Sequence, residues 1–276
     1  MAPHPTSPLL TSTEIGQIRR AHDAGFDSVK LSLDLQRSLS SVHLGSGEWR
    51  WDGRSFPYPD RCKERTIYHW TDGQFEAVAR YRDALIKLVP TEWGAPTFEI
   101  DGIKMLPTAQ VSPYIDAQLK VALIRPRGKV ILDCCGGLGY FAAWCLEGQA
   151  ASILSYEKNA DVLWLRDLNP WSPPADPRLH VVAGDVTVEI GSMAAASVDA
   201  VLHDPPRFGI AGELYSQGFY LELARVTKRN GRLFHYTGSP NRISGGRDLA
   251  GEVAGRLRVA GFDPARSGDG VLAVRR

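Results

Sequence analysis

Between residues 129 and 139 the chain reads Lys-Val-Ile-Leu-Asp-Cys-Cys-Gly-Gly-Leu-Gly, and no other stretch restricts its fold so tightly. Val130-Ile131-Leu132 is a short apolar run of the kind that forms a buried parallel strand, and it ends in an acid, Asp133. A turn carrying Gly136, Gly137 and Gly139 follows, and from Tyr140 through Leu146 the pattern is helical. Glycine at such a bend lets the backbone turn sharply and lets a ligand approach the main chain. A second apolar strand, Ser152 to Tyr156, ends in Glu157. That acid lies 157 − 136 = 21 residues beyond Gly136, the separation at which a nucleotide fold places the carboxylate that holds a ribose. The competing reading is that these glycines only pack a helix against a strand.

The loop is not a phosphate cradle, because the chain has no Gly-x-x-x-x-Gly-Lys-Ser/Thr run. A dinucleotide site opens directly on its glycines, whereas Asp133 stands ahead of this turn, where it repels a pyrophosphate and attracts an ammonium or sulfonium. That charge favours S-adenosyl-L-methionine, which carries an amino group, a sulfonium and a ribose but no phosphate. Two more strands end in acids: Leu179 to Gly184 before Asp185, and Val198 to His203 before Asp204-Pro205-Pro206. One acid at a strand end is most often a cap. Four at the ends of successive strands line one edge of a parallel sheet, the edge outside which open α/β sheets bind ligands.

From about residue 112 to its end the chain resembles a class I S-adenosylmethionine-dependent methyltransferase. The resemblance implies a Rossmann-like α/β sheet and a loop from Asp133 to Gly139, with Gly136 and Gly137, around the methionine moiety. It implies Glu157 on the ribose hydroxyls, Asp185 with Val186 at the adenine, and Asp204 facing the methyl group. The usual loop is Asp-x-Gly-x-Gly-x-Gly, and Cys135 occupies its first glycine position. The runs Leu202-His203-Asp204-Pro205-Pro206-Arg207-Phe208, Ala211 to Ser216 and Gly231 to Tyr236 are similar to a family of predicted, mainly archaeal methyltransferases. Phe98 to Met105 and Ser28 to Leu35 look like that family too, so the likeness spans most of the chain.

At 276 residues there is ample core for one large domain or two, and 32 Lys and Arg against 31 Asp and Glu leave no field that drives the chain onto nucleic acid or membrane. The short cluster Arg61-Cys62-Lys63-Glu64-Arg65 reads as a solvated turn. A small-molecule acceptor is therefore favoured, with nucleic acid left open. Residues 1–12 read as a disordered tail, and their start is neither basic nor apolar enough for a secretory signal. No apolar stretch is long enough to span a bilayer. The four cysteines form no Cys-x-x-Cys pair, so a cytoplasmic chain with reduced thiols and no metal site is expected. Oligomeric state is not legible.

Residues 13–106 read as a small β-rich domain. A helix spans Thr13 to Ala24, capped by Thr11, Ser12 or Thr13 and stopped by Gly25. Ser28 to Leu35 alternates with period two, and short strands follow at Val42–Leu44, Trp49–Trp51, Thr66–Trp70 and Thr97–Ile100. Phe75 to Leu88 fits a helix slightly better than a strand, through Val78, Tyr81, Leu85 and Leu88. Pro107 to Ser112 is the expected junction with a domain over residues 112–276. There helices at Tyr114–Ile124, Asp161–Leu168, Ser216–Thr227 and Asp248–Ala260 alternate with the strands, and a hairpin of Phe262–Arg266 with Val271–Val274 closes the chain.

For the transfer itself, Asp204-Pro205-Pro206 offers a carboxylate and carbonyls in a rigid turn that can accept hydrogen bonds from an amine and aim its lone pair. The turn resembles the Asp-Pro-Pro-Tyr of enzymes that methylate exocyclic amino groups, with Arg207 where their aromatic stands and Phe208 one place later. Arg207 either receives a carboxylate or phosphate of the acceptor or pairs with Glu213. Glu213, Tyr215, His203, His235 and Tyr236 are pocket candidates. His203 should point away from the side that Asp204 faces, and Tyr236 is the better base. Trp164 and Trp171 either pack or cover the adenine. Two rivals remain. Leu214 to Tyr220 is similar to the Phe-Thr-Lys-Glu-Phe-Tyr stretch of spermidine-synthase-type aminopropyltransferases, and a non-catalytic module binding S-adenosylmethionine or RNA is the other.

Overall fold

A computed structural model describes residues 7–59, 62–207, 209, 211–238 and 248–276. Residues 1–6 of the expected tail, Arg61 of the basic cluster and Phe208 lie outside the described residues. The chain divides into two compact units, Met1–Asp116 with Asp167–Pro174, and Ala117–Arg166 with Ala175–Arg276. The division thus falls inside the helix Pro113–Ile124 instead of at residues 107–112, and Asp167–Pro174 groups with the first unit instead of the second.

The second unit is built on seven strands: β1 Val130–Asp133, β2 Ser152–Glu157, β3 Leu179–Ala183, β4 Val198–His203, β5 Thr227–Tyr236, β6 Phe262–Ser267 and β7 Gly270–Arg275. Their order across the sheet is β3-β2-β1-β4-β5-β7-β6. Strands β1 to β5 run parallel, and β7 lies antiparallel to both β5 and β6. This is the Rossmann-like α/β sheet that the sequence implies. The central strands are apolar because neither face sees water: Ile131, Leu132, Ile153, Val201 and Leu202 are fully buried. Each such side chain contributes about 1.5–3 kcal/mol relative to exposure.

The chain builds β1, β2 and β3 outward in one direction, then returns to lay β4 on the other side of β1. That reversal places the switch point of the sheet at the carboxyl ends of β1 and β4, the place where open α/β sheets take ligands. Asp133 ends β1, Glu157 ends β2, Asp185 follows β3 and Asp204 follows β4. The parallel registers pair Asp133 with Ser155 and Leu202, and Glu157 with Ala183, so these acids share one edge.

The first unit is mostly antiparallel β. Ser28–Leu31, Ser40–Leu44, Glu48–Trp51 and Arg54–Pro57 form one sheet. Leu9–Leu10, Tyr68–Thr71 and Gln74–Ala77 form a second, and Ala79–Tyr81, Leu85–Val89, Thr97–Ile100 and Ile103–Lys104 a third. Its helix, Ser12–Asp23, opens on a capping box between Thr11 and Glu14. Leu10, Ile15, Ile18, Leu31, Val42, Trp49 and Phe56 form the core, with the Trp49 and Phe56 rings stacked 4.6 Å apart.

Three expectations for this unit need correction. Leu9 and Leu10, assigned to a disordered tail, are buried and pair with Tyr68 and His69 because both side chains are apolar. The strand from Ser28 stops at Leu31: Asp34 accepts hydrogen bonds from the Arg37 and Ser38 amides at 3.0 and 2.9 Å and bends the chain into a loop. The segment Phe75 to Leu88, left between strand and helix with the helix slightly favoured, contains no helix and contributes to three strands, Gln74–Ala77, Ala79–Tyr81 and Leu85–Val89. Among the described residues no helix is long and apolar enough to cross a membrane, and no group of three His, Cys, Asp or Glu is placed to hold a metal.

Candidate active site

Asp133 is the most constrained group at the sheet edge. It is buried, and one carboxylate oxygen accepts from the Ser155 hydroxyl at 2.8 Å. The other, Oδ1, is buried with no hydrogen-bond partner among the described residues. Burial pushes its carboxyl from the ordinary 3.8 up to about 6; the Ser155 hydroxyl and the Arg166 charge oppose that, while Glu157 and Asp204 add to it. An ionisable oxygen left without a donor is costly unless something supplies one.

The glycines of the loop serve two ends. A Cβ on Gly136 would stand 2.5 Å from the Ser155 hydroxyl, and one on Gly139 2.7 Å from the Arg166 guanidinium. Gly139 also sits at φ 81°, in the left-handed region. Close packing against β2 and the helix Ala160–Leu168 therefore demands these two glycines, as the competing reading of the loop expected. Gly137 does something else: its N–H donates to the Glu157 carboxylate at 3.0 Å. The Asn159 N–H donates to the other Glu157 oxygen at 2.9 Å. Burial raises the Glu157 carboxyl above its ordinary range, and these two amides with the charges of Arg166 and Lys158 pull against it. Each oxygen keeps a lone pair for a further donor. Cys135, in the first glycine position, is half-buried.

Asp185 caps the short helix Val186–Glu189 by accepting from the Thr187 amide at 2.9 Å, and Val186 is buried beneath it. Burial acts to raise Asp185, but the Thr187 hydrogen bonds and the Lys158 charge outweigh it, and its carboxyl ends below the ordinary value. The Lys158 ammonium bridges Asp185 at 3.5 Å and Glu213 at 3.3 Å. Glu213 is thus engaged by Lys158 and not by Arg207, which is exposed on its turn.

Asp204 follows β4, and its carboxylate meets the ammonium of Lys120 at 3.3 Å. That ammonium also lies over the Tyr236 ring, 3.7 Å from its centroid. Pro205 is buried, and the Tyr215 hydroxyl donates to the Pro206 carbonyl at 3.0 Å, tying the turn to the 3-10 segment Gly212–Tyr215. Burial, then the Asp204 charge, holds the Tyr215 phenol well above its usual range, so it acts here as a hydrogen-bond donor. Behind the turn, His203 meets the Leu214 carbonyl at 3.0 Å, and His235 meets the Tyr236 carbonyl at 2.8 Å and the Tyr220 hydroxyl at 2.9 Å. Burial lowers His203 to about 4 and drives His235 well below its ordinary value, so both are neutral core groups.

Two groupings result: Asp133, Gly136, Gly137, Gly139 and Glu157 with Ser155 and Arg166, and Asp204 and Tyr236 with Lys120, beside the Pro205-Pro206 turn that Tyr215 ties down. Asp133 ends β1 and pairs with Leu202 of β4, two residues before Asp204, so the two groupings share one edge. Trp171 belongs to the first unit, where its indole N–H donates to the Leu35 carbonyl at 2.9 Å. The sequence reading missed Lys120 and Arg166. Lys120 is buried beside Ala117, Val121 and Ile124 of its helix, but a lysine bordering an apolar stripe ordinarily carries its ammonium out to water, so its burial left no mark in the sequence.

No family model matches the chain. It is 40% identical over 217 residues to the uncharacterized protein MJ1233 of Methanocaldococcus jannaschii, a match covering 77% of this chain and 74% of that one. Among solved structures it is similar to a spermidine synthase in complex with the transition state analogue AdoDATO, at TM-score 0.58 and 17% identity over 71% of this chain and 72% of that one. It is also similar to MNMC2 from Aquifex aeolicus, at TM-score 0.51 and 19% identity, over 71% of this chain and 72% of that one. At these identities the structural likeness speaks to the fold.

Proposed function

The chain belongs to the family of the Methanocaldococcus jannaschii protein MJ1233, and from its sheet edge we propose that it is an S-adenosylmethionine-dependent methyltransferase acting on a nitrogen of a small molecule. The observation that carries this reading is Asp133, whose buried Oδ1 has no donor among the described residues. An ammonium-bearing nucleoside fits that vacancy in hydrogen bonding, and a pyrophosphate does not. When bound, S-adenosylmethionine supplies a methyl group on a sulfonium, already activated for displacement.

In this reading Asp133 faces the donor's ammonium, and Glu157 receives the two ribose hydroxyls on its remaining lone pairs. Asp185 with Val186 meets the adenine, and the Gly136 to Gly139 backbone holds the methionine moiety. Asp204 and the carbonyls of its proline turn hold the acceptor N–H groups, so that the nitrogen lone pair points along the breaking carbon–sulfur bond. Orientation of this kind contributes roughly 7–11 kcal/mol of the barrier. Forming the nitrogen–carbon bond would leave the carbon–sulfur electron pair on sulfur and one surplus proton on the nitrogen, which the Asp204 carboxylate would take, with the Tyr236 ring holding Lys120 beside it. Tyr215, through its bond to the Pro206 carbonyl, keeps the turn rigid, and Arg207 receives an acidic group of the acceptor.

A second reading has its own support. The likeness to a spermidine synthase and the Leu214 to Tyr220 stretch favour aminopropyl transfer on the same frame. Incubating the protein with tritiated-methyl donor and fractionated extract separates these readings. Label in a low-mass fraction, with S-adenosylhomocysteine as coproduct, is expected. Label in RNA or protein would move the acceptor to a macromolecule, and methylthioadenosine from a decarboxylated donor would establish aminopropyl transfer.

A further inference from the structure

The Lys120 ammonium has no part in the proposed transfer, yet it pairs with the carboxylate that in that reading faces the acceptor. Its side chain is 4% exposed, and it lies 3.3 Å from the Asp204 carboxylate. The ring of Tyr236 faces it at 3.7 Å and that of Phe141 at 5.9 Å. A buried cation needs a partner charge and ring faces of this kind, and Asp204 and the two rings provide them. The second carboxylate of the loop is also engaged, since Glu213 pairs with Lys158. The turn itself adds the exposed cation of Arg207.

We infer that Lys120 is a specificity-determining residue that limits the acceptor to neutral or anionic molecules and excludes diamines and polyamines. This rests on the reading that Asp204 faces the acceptor. A diamine needs an uncompensated carboxylate within hydrogen-bond reach, and the Asp204 charge is already balanced by an internal ammonium. A second cation brought to Asp204 meets Lys120 at close range in a poorly solvated place, where like charges repel strongly. A neutral amine, or one on a molecule with a carboxylate or phosphate for Arg207, meets no such barrier. Lys120 thus separates two chemistries that this fold can carry.

The test is a calorimetric titration of putrescine into the full-length protein saturated with methylthioadenosine, which fills the nucleoside site without the methionine tail. Wild type and Lys120→Arg should show no saturable binding at millimolar putrescine. Lys120→Met should bind putrescine about tenfold tighter or better, and adding Asp204→Asn should abolish that gain. Saturable putrescine binding by wild type overturns the inference, as does a folded Lys120→Met protein with no gain. If Lys120→Met does not fold, the wild-type titration decides alone. Methylthioadenosine that binds while the diamine results fail strikes only this inference; no methylthioadenosine binding removes the reading beneath it.

Discussion

At the scale of single residues, Asp133 is the proposed sensor of a cationic ligand. Its carboxyl stands at about 6 in the folded protein against an ordinary 3.8. The folded state therefore holds a proton through that window that the unfolded chain has lost, and stability falls as pH rises from about 4 to 6. A ligand ammonium reverses the penalty. Affinity for S-adenosylmethionine should rise with pH, approaching tenfold per unit well below pH 6, and level off above it. Methylthioadenosine, which has no ammonium to meet Asp133, should lack this limb, and Asp133→Asn should flatten it for S-adenosylmethionine. An S-adenosylmethionine affinity that does not change between pH 4.5 and 7 would refute the assignment. Glu157→Ala should weaken binding of both nucleosides by about 1.5–3 kcal/mol, the scale of hydrogen bonds to a charged group. Unchanged affinity by calorimetry removes Glu157 from the ribose. Asp204→Asn should slow single-turnover methyl transfer far more than it weakens donor binding, and equal losses in both would make Asp204 a donor residue.

Among the elements, the loop between β1 and the helix Tyr140–Glu147 carries the sharpest structural demand. Gly139→Ala puts a side chain at φ 81° and pushes its Cβ onto the Arg166 guanidinium. The left-handed backbone alone costs about 1–2 kcal/mol. A lower denaturation midpoint should accompany weaker donor binding, because Arg166 also reaches the Ser155 hydroxyl that supports Asp133. A midpoint equal to wild type would show that the loop relaxes freely. This loop was legible in the sequence because a buried parallel strand, its closing acid and a left-handed glycine each leave a local mark. Phe75 to Leu88 was not. Val78 and Leu88 are buried partners across a hairpin, while Tyr81 and Leu85 sit exposed near its tip, so four apolar residues imitate a helical period by accident. Lys120 was missed for another reason: a lysine on a helix reads as solvated until the carboxylate that receives it, 84 residues away, is known.

For the whole molecule, the row of acids along one sheet edge follows from connectivity more than from any one motif. Reversal of strand order at β1 and β4 brings Asp133 and Asp204 to the same switch point, and parallel pairing carries Glu157 and Asp185 alongside. The nearly balanced charge, 32 basic against 31 acidic residues, leaves recognition to this edge instead of to a long-range field. Bound donor should stabilise the fold by mass action, by about 2.7 kcal/mol at a hundredfold excess over Kd, visible as a rise in Tm that methylthioadenosine shares in part. The most direct test is a calorimetric titration of folded, full-length protein with S-adenosylmethionine at neutral pH. One saturable site per chain, weakened by Asp133→Asn and by Glu157→Ala, is the predicted result. Absence of any saturable heat from protein that unfolds cooperatively would contradict the account at its root.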